Sequence, residues 1–431
     1  MQIEQLYELF LNHPVITIDS RIVSKGCLFF ALKGDHFNGN QFASKAIENG
    51  AAFAIIDDNK FANDSRFIIV DDVLQTLQKL ANYHRKKLKI PVLAITGTNG
   101  KTTTKELISA VLKQKYKLTY TQGNLNNHIG VPLTLLSMKS DTEFAIIEMG
   151  ANHMYEIKLL CEIAEPDYGL ITNIGKAHLE GFGSFENIIK TKVELYDFVD
   201  SVGGTLFYNA ENPILNEKVK NISTKSVFYG NVDNSNCMAS IGSANPFVTL
   251  EIKQNNTKYA IQTKLIGNYN LENILAAVCI GTHFGVKQDL IKIAIESYTP
   301  TNNRSQFIQS NTNTIFLDAY NSNPTSLKAS LLNFLELKVE HRSLILGDML
   351  ELGSDAEKEH ENIIEIIEKQ QFERVILVGG IFSKINAPPT FVRFTNVSQA
   401  ILWLEKNRIN NSNILIKGSR GIQLERIVEY L

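Results

Sequence analysis

The sequence predicts an α/β protein built as three successive units. These are a small N-terminal α/β domain, a central domain of mainly parallel sheet opened by a glycine-rich loop, and a C-terminal Rossmann-like domain. Three observations lead there. Short, near-continuous apolar runs alternate with segments of helical periodicity, the pattern of parallel strands covered on both faces. The loop "TGTNGKTTT" (Thr96–Thr104) stands between one such run and one such helix. Two polar stretches, "NYHRKKLKIP" (Asn82–Pro91) and "SYTPTNNRSQ" (Ser297–Gln306), mark seams that place the domains at 1–85, 86–299 and 300–431.

In the first unit the strands "CLFFAL" and "AAFAII" flank a helical "QFASKAIENG". The central unit opens with the strand "PVLAIT" and the helix "TTTKELISAVLKQ", whose Leu107, Ile108, Val111 and Leu112 recur at helical spacing. The strands "EFAIIEM" and "YGLITNI" follow. Residues 207–263 are richer in Asn and Ser, and "FVTLEIKQNNTKYAIQTKL" alternates around "NN" as a β-hairpin does. The last unit reads as strand "TIFLDAY", helix 324–338, strand "SLILGDM", helix "KEHENIIEIIEKQ", strand "RVILVGG", helix "AILWLEKN", strand "NILIKGS" and helix "IQLERIVEYL".

Composition narrows the class. The 431 residues are 44% hydrophobic and 20% charged, a globular balance with material for several cores. A net charge of −2 gives no basic field, so no nucleic-acid partner is expected. Cys27, Cys161, Cys237 and Cys279 are widely spaced, which fits a reducing compartment and no thiolate metal site. The N-terminal "MQIEQLYELFLNHP" lacks the make-up of a signal peptide, and no apolar run reaches the roughly 20 residues of a membrane span. The expected location is cytoplasmic.

The loop departs from the usual phosphate-binding spacing G-x-x-x-x-G-K-[ST]: Ile95 stands where the first glycine should be, and Gly97 is the nearest. Its strand–loop–helix setting still favours a nucleotide site. Backbone N–H groups of Gly97, Thr98, Asn99, Gly100 and Thr103 would face an anion at the helix start, Lys101 would meet terminal phosphates, and Thr102 would offer a hydroxyl to Mg²⁺. Glu148 and His178 follow two further strands, at the edge where open α/β sheets bind ligands. On the residues alone, Glu148 is equally a metal partner or a solvated strand-end acid, and His178 reads as a histidine satisfied by backbone. By the same standard Lys192 in "NIIKTKVELYDF" is a solvated lysine. Asn126 and Asn127 in "GNLNNHIGVP" form a turn before a helix starting at Pro132, and "KGSRG" (Lys417–Gly421) is either a β–α turn or an anion site.

Taken together, the motifs resemble the Mur ligase family, ATP-dependent enzymes that extend the peptide of the peptidoglycan precursor. "TGTNGKTTT" matches that family's short phosphate loop, and "GNLNNHIGVP", "EMGANH", "NIGKAHLEGFGS", "RSQ", "DAYNSNP", "LGDMLELG" and "KGSRG" follow in the family's order. The resemblance covers most of the chain and is weakest at 205–260. "EMGANHMYEI", "DAYNSNP" and "GDMLELG" are most similar to the branch whose substrates are UDP-N-acetylmuramoyl-tripeptide and D-alanyl-D-alanine. The resemblance implies a monomer using ATP and Mg²⁺ through an acyl phosphate. It assigns Gly97–Thr103 to the ATP phosphates, and Thr102, Glu148, His178 and a carbamylated Lys192 to the metal sites, with Lys101, Glu148, His178 and Lys192 catalytic. Asn270, Asn273, Arg304 and Asp318 fall on the adenine and ribose side, Ser20 and Arg21 on the UDP-sugar side with Asn126 and Asn127 also contacting substrate, and Lys417, Ser419 and Arg420 near the incoming dipeptide. Two departures stand out: Tyr269 replaces a histidine common in "GNYN", and "NGNQF" (Asn38–Phe42) lacks the family's acid and histidine. A sibling ligase adding one amino acid, or a non-ligase ATP-binding module, are the rival readings.

Overall fold

The computed structural model describes residues 2–254 and 257–431. Near the N-terminus, the strands Ile16–Thr17, Leu28–Phe30, Phe53–Ile56 and Phe67–Ile69 form a parallel sheet in that order. "QFASKAIENG" splits into a 3₁₀ turn, Gly39–Phe42, and the helix Ala43–Glu48. The helix Val73–Leu88 begins at Asp72, whose side chain accepts from the Gln75 amide at 2.8 Å.

That helix runs through most of the first expected seam, ending at Lys89 with φ +52°. The basic run is therefore partly packing surface. Arg85 is buried, donates to the Ala164 carbonyl at 3.1 Å and pairs with Asp167 at 2.8 Å, which ties the helix to the central sheet.

The central sheet has six parallel strands in the order Lys225–Tyr229, Thr205–Asn209, Tyr168–Ile171, Val92–Thr96, Phe144–Glu148, Leu118–Tyr120. Val92–Thr96 and Phe144–Glu148 are buried throughout, as unbroken apolar runs should be. Register sets Ile95 beside Glu148 and Thr96 beside Ile171, so the loops after all three strands leave at one edge. The helix Lys101–Leu112 buries Leu107, Ile108, Val111 and Leu112, and the helix Leu271–His283 packs against it. An antiparallel sheet of Met238–Ala244, Phe247–Gln254 and Thr257–Ile266 adjoins. The expected hairpin is present with one strand more, while its "NN" turn, Asn255–Asn256, lies outside the described residues. Leu118–Tyr120, Thr205–Asn209 and Lys225–Tyr229 escape the apolar-run reading because their short segments mix polar with apolar residues.

In the C-terminal sheet the order is Gln306–Gln309, Thr314–Asp318, Asn413–Lys417, Arg342–Gly347, Arg374–Val378, Val392–Phe394, parallel apart from the antiparallel first strand. The register sets Asp318 beside Lys417 at the carboxyl edge. The helix Pro324–Glu336 starts at a capping box formed by Asn323 and Ser326. The chain end differs from the expected α-helix: Leu424–Tyr430 is 3₁₀, entered from Gln423 at φ +60°. Leu424 and Ile427, three apart, are both buried, the spacing that eclipses side chains on a 3₁₀ turn.

Candidate active site

The unusual glycine spacing has a steric explanation. Gly97 has φ +142°, and a Cβ there would lie 2.1 Å from Thr172 Oγ1. Gly100 has φ +77°, and its Cβ would meet Asn273 Oδ1 at 2.5 Å. Both glycines answer to neighbouring elements. Gly100→Ala is expected to weaken ADP binding about tenfold or more by calorimetry, because strain of about 1–3 kcal/mol falls on the loop; unchanged affinity would refute this account.

The loop is held from the strand beside it. The Asn99 amide donates to Asn173 Oδ1 at 2.9 Å, Asn173 Nδ2 donates to the Asn99 carbonyl at 3.1 Å, and Thr98 Oγ1 accepts from the Gly175 amide at 2.9 Å. Lys101 bends back over the loop, its Nζ donating to the Gly97 carbonyl at 2.7 Å and the Thr98 carbonyl at 3.0 Å. Burial lowers the Lys101 ammonium to about 8, opposed by Glu148 and assisted by Arg304.

Glu148 ends its strand fully buried. Its carboxylate accepts from Thr102 Oγ1 at 3.1 and 2.9 Å and from Asn126 Nδ2 at 2.9 Å. Asn127 turns the other way: its Oδ1 accepts from the Ile129 and Gly130 amides at 3.1 and 2.9 Å, so the helix Gly130–Leu136 begins earlier than Pro132.

Lys192 is not the solvated lysine its sequence setting suggests. It lies on the inner face of the helix Phe185–Ser201, buried, with Nζ 5.6 Å from the Phe182 ring centre. Burial, and then Lys101, lower its ammonium to about 7, while Glu156 and Glu194 pull the other way. His178 sits at φ +51° with Nδ1 2.5 Å from Glu351 Oε2, close but not aligned as a hydrogen bond. The imidazole holds the Glu351 carboxyl below its ordinary range.

The opposite wall comes from the C-terminal domain. Lys417 Nζ donates to Asp318 Oδ2 at 2.6 Å, and Ser330 Oγ donates to the same oxygen at 3.0 Å. Arg304 stacks 3.6 Å above the Tyr320 ring, and Arg420 donates to the Tyr320 hydroxyl at 3.3 Å. Ser419 Oγ accepts from the Leu350 amide at 2.9 Å. On the near side, Asn273 accepts from Thr104 Oγ1 at 2.9 Å and donates to Asn270 Oδ1 at 2.8 Å. These walls enclose a cleft of about 810 Å³ that brings together all the predicted residues except Ser20 and Arg21. Those two lie outside the cleft on the N-terminal domain, where Arg21 is exposed and paired with Asp19 at 2.7 Å.

Residues 14–94 match the Mur ligase family catalytic domain, 95–281 the Mur ligase middle domain and 303–420 the Mur ligase glutamate ligase domain. The UDP-N-acetylmuramoyl-tripeptide–D-alanyl-D-alanine ligase of Bacillus subtilis is 35% identical, over 99% of this chain and 94% of its own. The chain belongs to the Mur ligase family. Another ligase of that name, from Escherichia coli, is 32% identical over 96% of this Mur ligase and 93% of its own length. Among solved structures, MurF from Acinetobacter baumannii superposes with a TM-score of 0.87 at 26% identity, over 99% and 98% of the two chains. MurF ligase from Thermotoga maritima, in complex with ADP, gives 0.86 at 26% identity over 98% and 97%. Mur ligases are ATP-dependent ligases, and the three-domain α/β architecture described above is theirs.

Sequence reasoning on this Mur ligase overlooked four cleft residues. Asn173 braces the loop, Asn323 Nδ2 reaches across the cleft to Asn99 Oδ1 at 2.8 Å, Glu351 faces His178, and Tyr320 carries the two guanidiniums. All four follow strands by a few residues, in "ITNIG", "LDAYNSNP" and "LGDMLELG", so their position after strand ends was the usable signal.

Proposed function

We propose that this Mur ligase joins D-alanyl-D-alanine to the terminal carboxylate of UDP-N-acetylmuramoyl-tripeptide, converting ATP to ADP and phosphate. Its likeness over nearly the whole chain to ligases named for that reaction supports the choice of substrates. The observation that carries the chemistry is the single cleft in which a phosphate loop on one parallel sheet faces Asp318, Arg304 and Arg420 on another.

In the first step a carboxylate oxygen of the tripeptide attacks the γ-phosphorus, and the bond to the ADP oxygen breaks. In the second, the dipeptide amine attacks the acyl carbon, phosphate leaves, and the nitrogen loses a proton to give the amide. Anions meet in the first step, so cations placed beforehand matter most. Loop amides from Gly97 to Thr103 hold the phosphates, and Lys101 swings from its own loop carbonyls onto the terminal ones.

The donor set fits Mg²⁺: a buried carboxylate and a hydroxyl, Glu148 and Thr102, beside the place where phosphates supply further oxygens. Mg²⁺ bound there would neutralise phosphate charge. His178 contributes beside it, with Glu351 at its back. Lys192 is the carbamylation site in this reading, because an ammonium lowered to about 7 leaves a substantial neutral fraction to attack carbon dioxide. Enriched bicarbonate should give a carbamate carbon signal in the NMR spectrum that Lys192→Arg lacks; the same signal in both would remove Lys192 from the scheme.

Asn270, Asn273, Arg304 and Asp318 line the adenine and ribose side. Ser419 and Arg420 face the dipeptide, and Lys417 acts there through Asp318. Asn126 and Asn127 border the acceptor, and Ser20 and Arg21 serve the distant UDP end. The same reading gives domains of 1–85, 86–299 and 300–431 and a monomer working in the cytoplasm. No described helix is long and apolar enough to cross a membrane. Phosphate release from ATP and the UDP-linked tripeptide should depend on D-alanyl-D-alanine. Dependence on lysine or diaminopimelate with a shorter acceptor would overturn the substrate assignment in favour of a sibling.

A further inference from the structure

The lysine one helical turn beyond Lys101 has no part in the scheme above, yet it is the cation nearest the Glu148 carboxylate that does not line the cleft. Lys105 is completely buried. Its Nζ donates to the Thr121 carbonyl at 2.6 Å, lies 3.0 Å from Glu106 Oε1 and 3.8 Å from Glu148 Oε2, and sits 5.7 Å from the Tyr120 ring centre. Thr121 is also buried, and its Oγ1 accepts from the Glu148 amide at 2.9 Å. One residue thus holds both ends of a bracket: its carbonyl fixes the ammonium, and its hydroxyl fixes the backbone that carries the carboxylate. On the cleft side, Thr102 and Asn126 complete the shell around the same carboxylate.

A buried ammonium is expensive unless paired and hydrogen-bonded, and a helix surface facing a sheet would ordinarily carry an apolar side chain here. Packing alone gives no reason for a cation at this position; of its two acid partners, Glu106 is partly exposed and Glu148 is buried, so the buried carboxylate is the one whose orientation a fixed cation beside it sets. We propose that Lys105 and Thr121 are positioning residues that fix the Glu148 carboxylate for divalent-cation binding. Neither touches substrate; both act through Glu148. The proposal rests on the reading of Glu148 and Thr102 as the Mg²⁺ site.

The test is calorimetric binding of ADP, once in EDTA and once in Mg²⁺, on the full-length protein and on Lys105→Met. In EDTA ADP binds without the metal, and the variant should match the unaltered protein within about twofold. The extra affinity that Mg²⁺ confers should fall by about 10–100-fold, the usual effect of losing an outer partner of a metal ligand. A variant that keeps the full Mg²⁺ gain, or enlarges it, overturns the proposal, since simple charge repulsion between Lys105 and the metal would then dominate. Thr121→Val, nearly isosteric, should lose part of the same gain and stands in should Lys105→Met fail to fold. If Mg²⁺ adds nothing to ADP affinity in the unaltered protein, the metal reading fails and the bracket with it.

Discussion

Lys101→Ala is expected to lower phosphate release in the complete reaction by about 10³-fold or more, while binding of the UDP-linked acceptor is retained. The size follows from what the ammonium does. Charge develops on phosphate oxygens, where a preplaced donor contributes several kcal/mol to the transition state; single-cation deletions in phosphoryl transfer lower rates by about 10³–10⁵. Lys101 is already partly stripped of water: its ammonium, lowered to about 8, rests on two loop carbonyls. Moving onto phosphate therefore exchanges weak acceptors for strong ones with little further desolvation. The variant leaves Gly97 and Gly100 and their neighbours in place, so the fold of the loop should survive. Steady-state phosphate release and calorimetric acceptor binding measure the two halves of the prediction. Unchanged turnover would remove Lys101 from the chemistry, and lost acceptor binding would show a damaged fold instead.

The loop and the strands that carry its partners were legible because they obey simple rules. "PVLAIT" and "EFAIIEM" are unbroken apolar runs, and the structure buries every residue of Val92–Thr96 and Phe144–Glu148. A parallel sheet then brings Lys101 and Glu148 to one edge without further assumption. Lys192 was illegible from its residues alone because burial of a helical lysine depends on what packs above it. Phe182 reaches it from the preceding helix, and Lys101 and Glu156 from farther along the chain. The final segment also departs from expectation: "IQLERIVEYL" suits an α-helix by composition, but Arg420–Ile422 is a 3₁₀ turn and Leu424–Tyr430 continues as 3₁₀. Asn323 marks the same limit: it caps the helix Pro324–Glu336, but its bond to Asn99 joins residues 224 apart in the chain.

That bond and the Lys417–Asp318 pair show how the far wall of the cleft is built, and the pair carries the largest expected effect on stability. Lys417→Ala should destabilise the protein by about 3–5 kcal/mol, the range for removing one partner of a buried ion pair. Lys417 is 2% exposed and Asp318 19%, so the stranded carboxylate has little water to turn to. Burial alone would raise the Asp318 carboxyl; Lys417, Ser330 and the Ser305 amide together reverse this and hold it below its ordinary range. The sign of the pH effect follows. A carboxyl depressed in the folded state contributes stability that is present above its unfolded value, near 3.8, and is lost as pH falls through the folded value. The unaltered protein should therefore lose this contribution only in acid, whereas Lys417→Ala should lose it at every pH above that range. In the variant the carboxyl should instead favour its protonated form, so the gap between the two proteins narrows as pH drops towards 4. Urea midpoints measured from neutral pH down to about 4 test both parts. The double variant Lys417→Ala with Asp318→Asn should recover part of the loss, because the unpaired charge is gone along with its partner. A single variant less than about 1 kcal/mol weaker at neutral pH, with no narrowing in acid, would mean that the pair behaves as a solvated surface bridge and that something else holds the far wall.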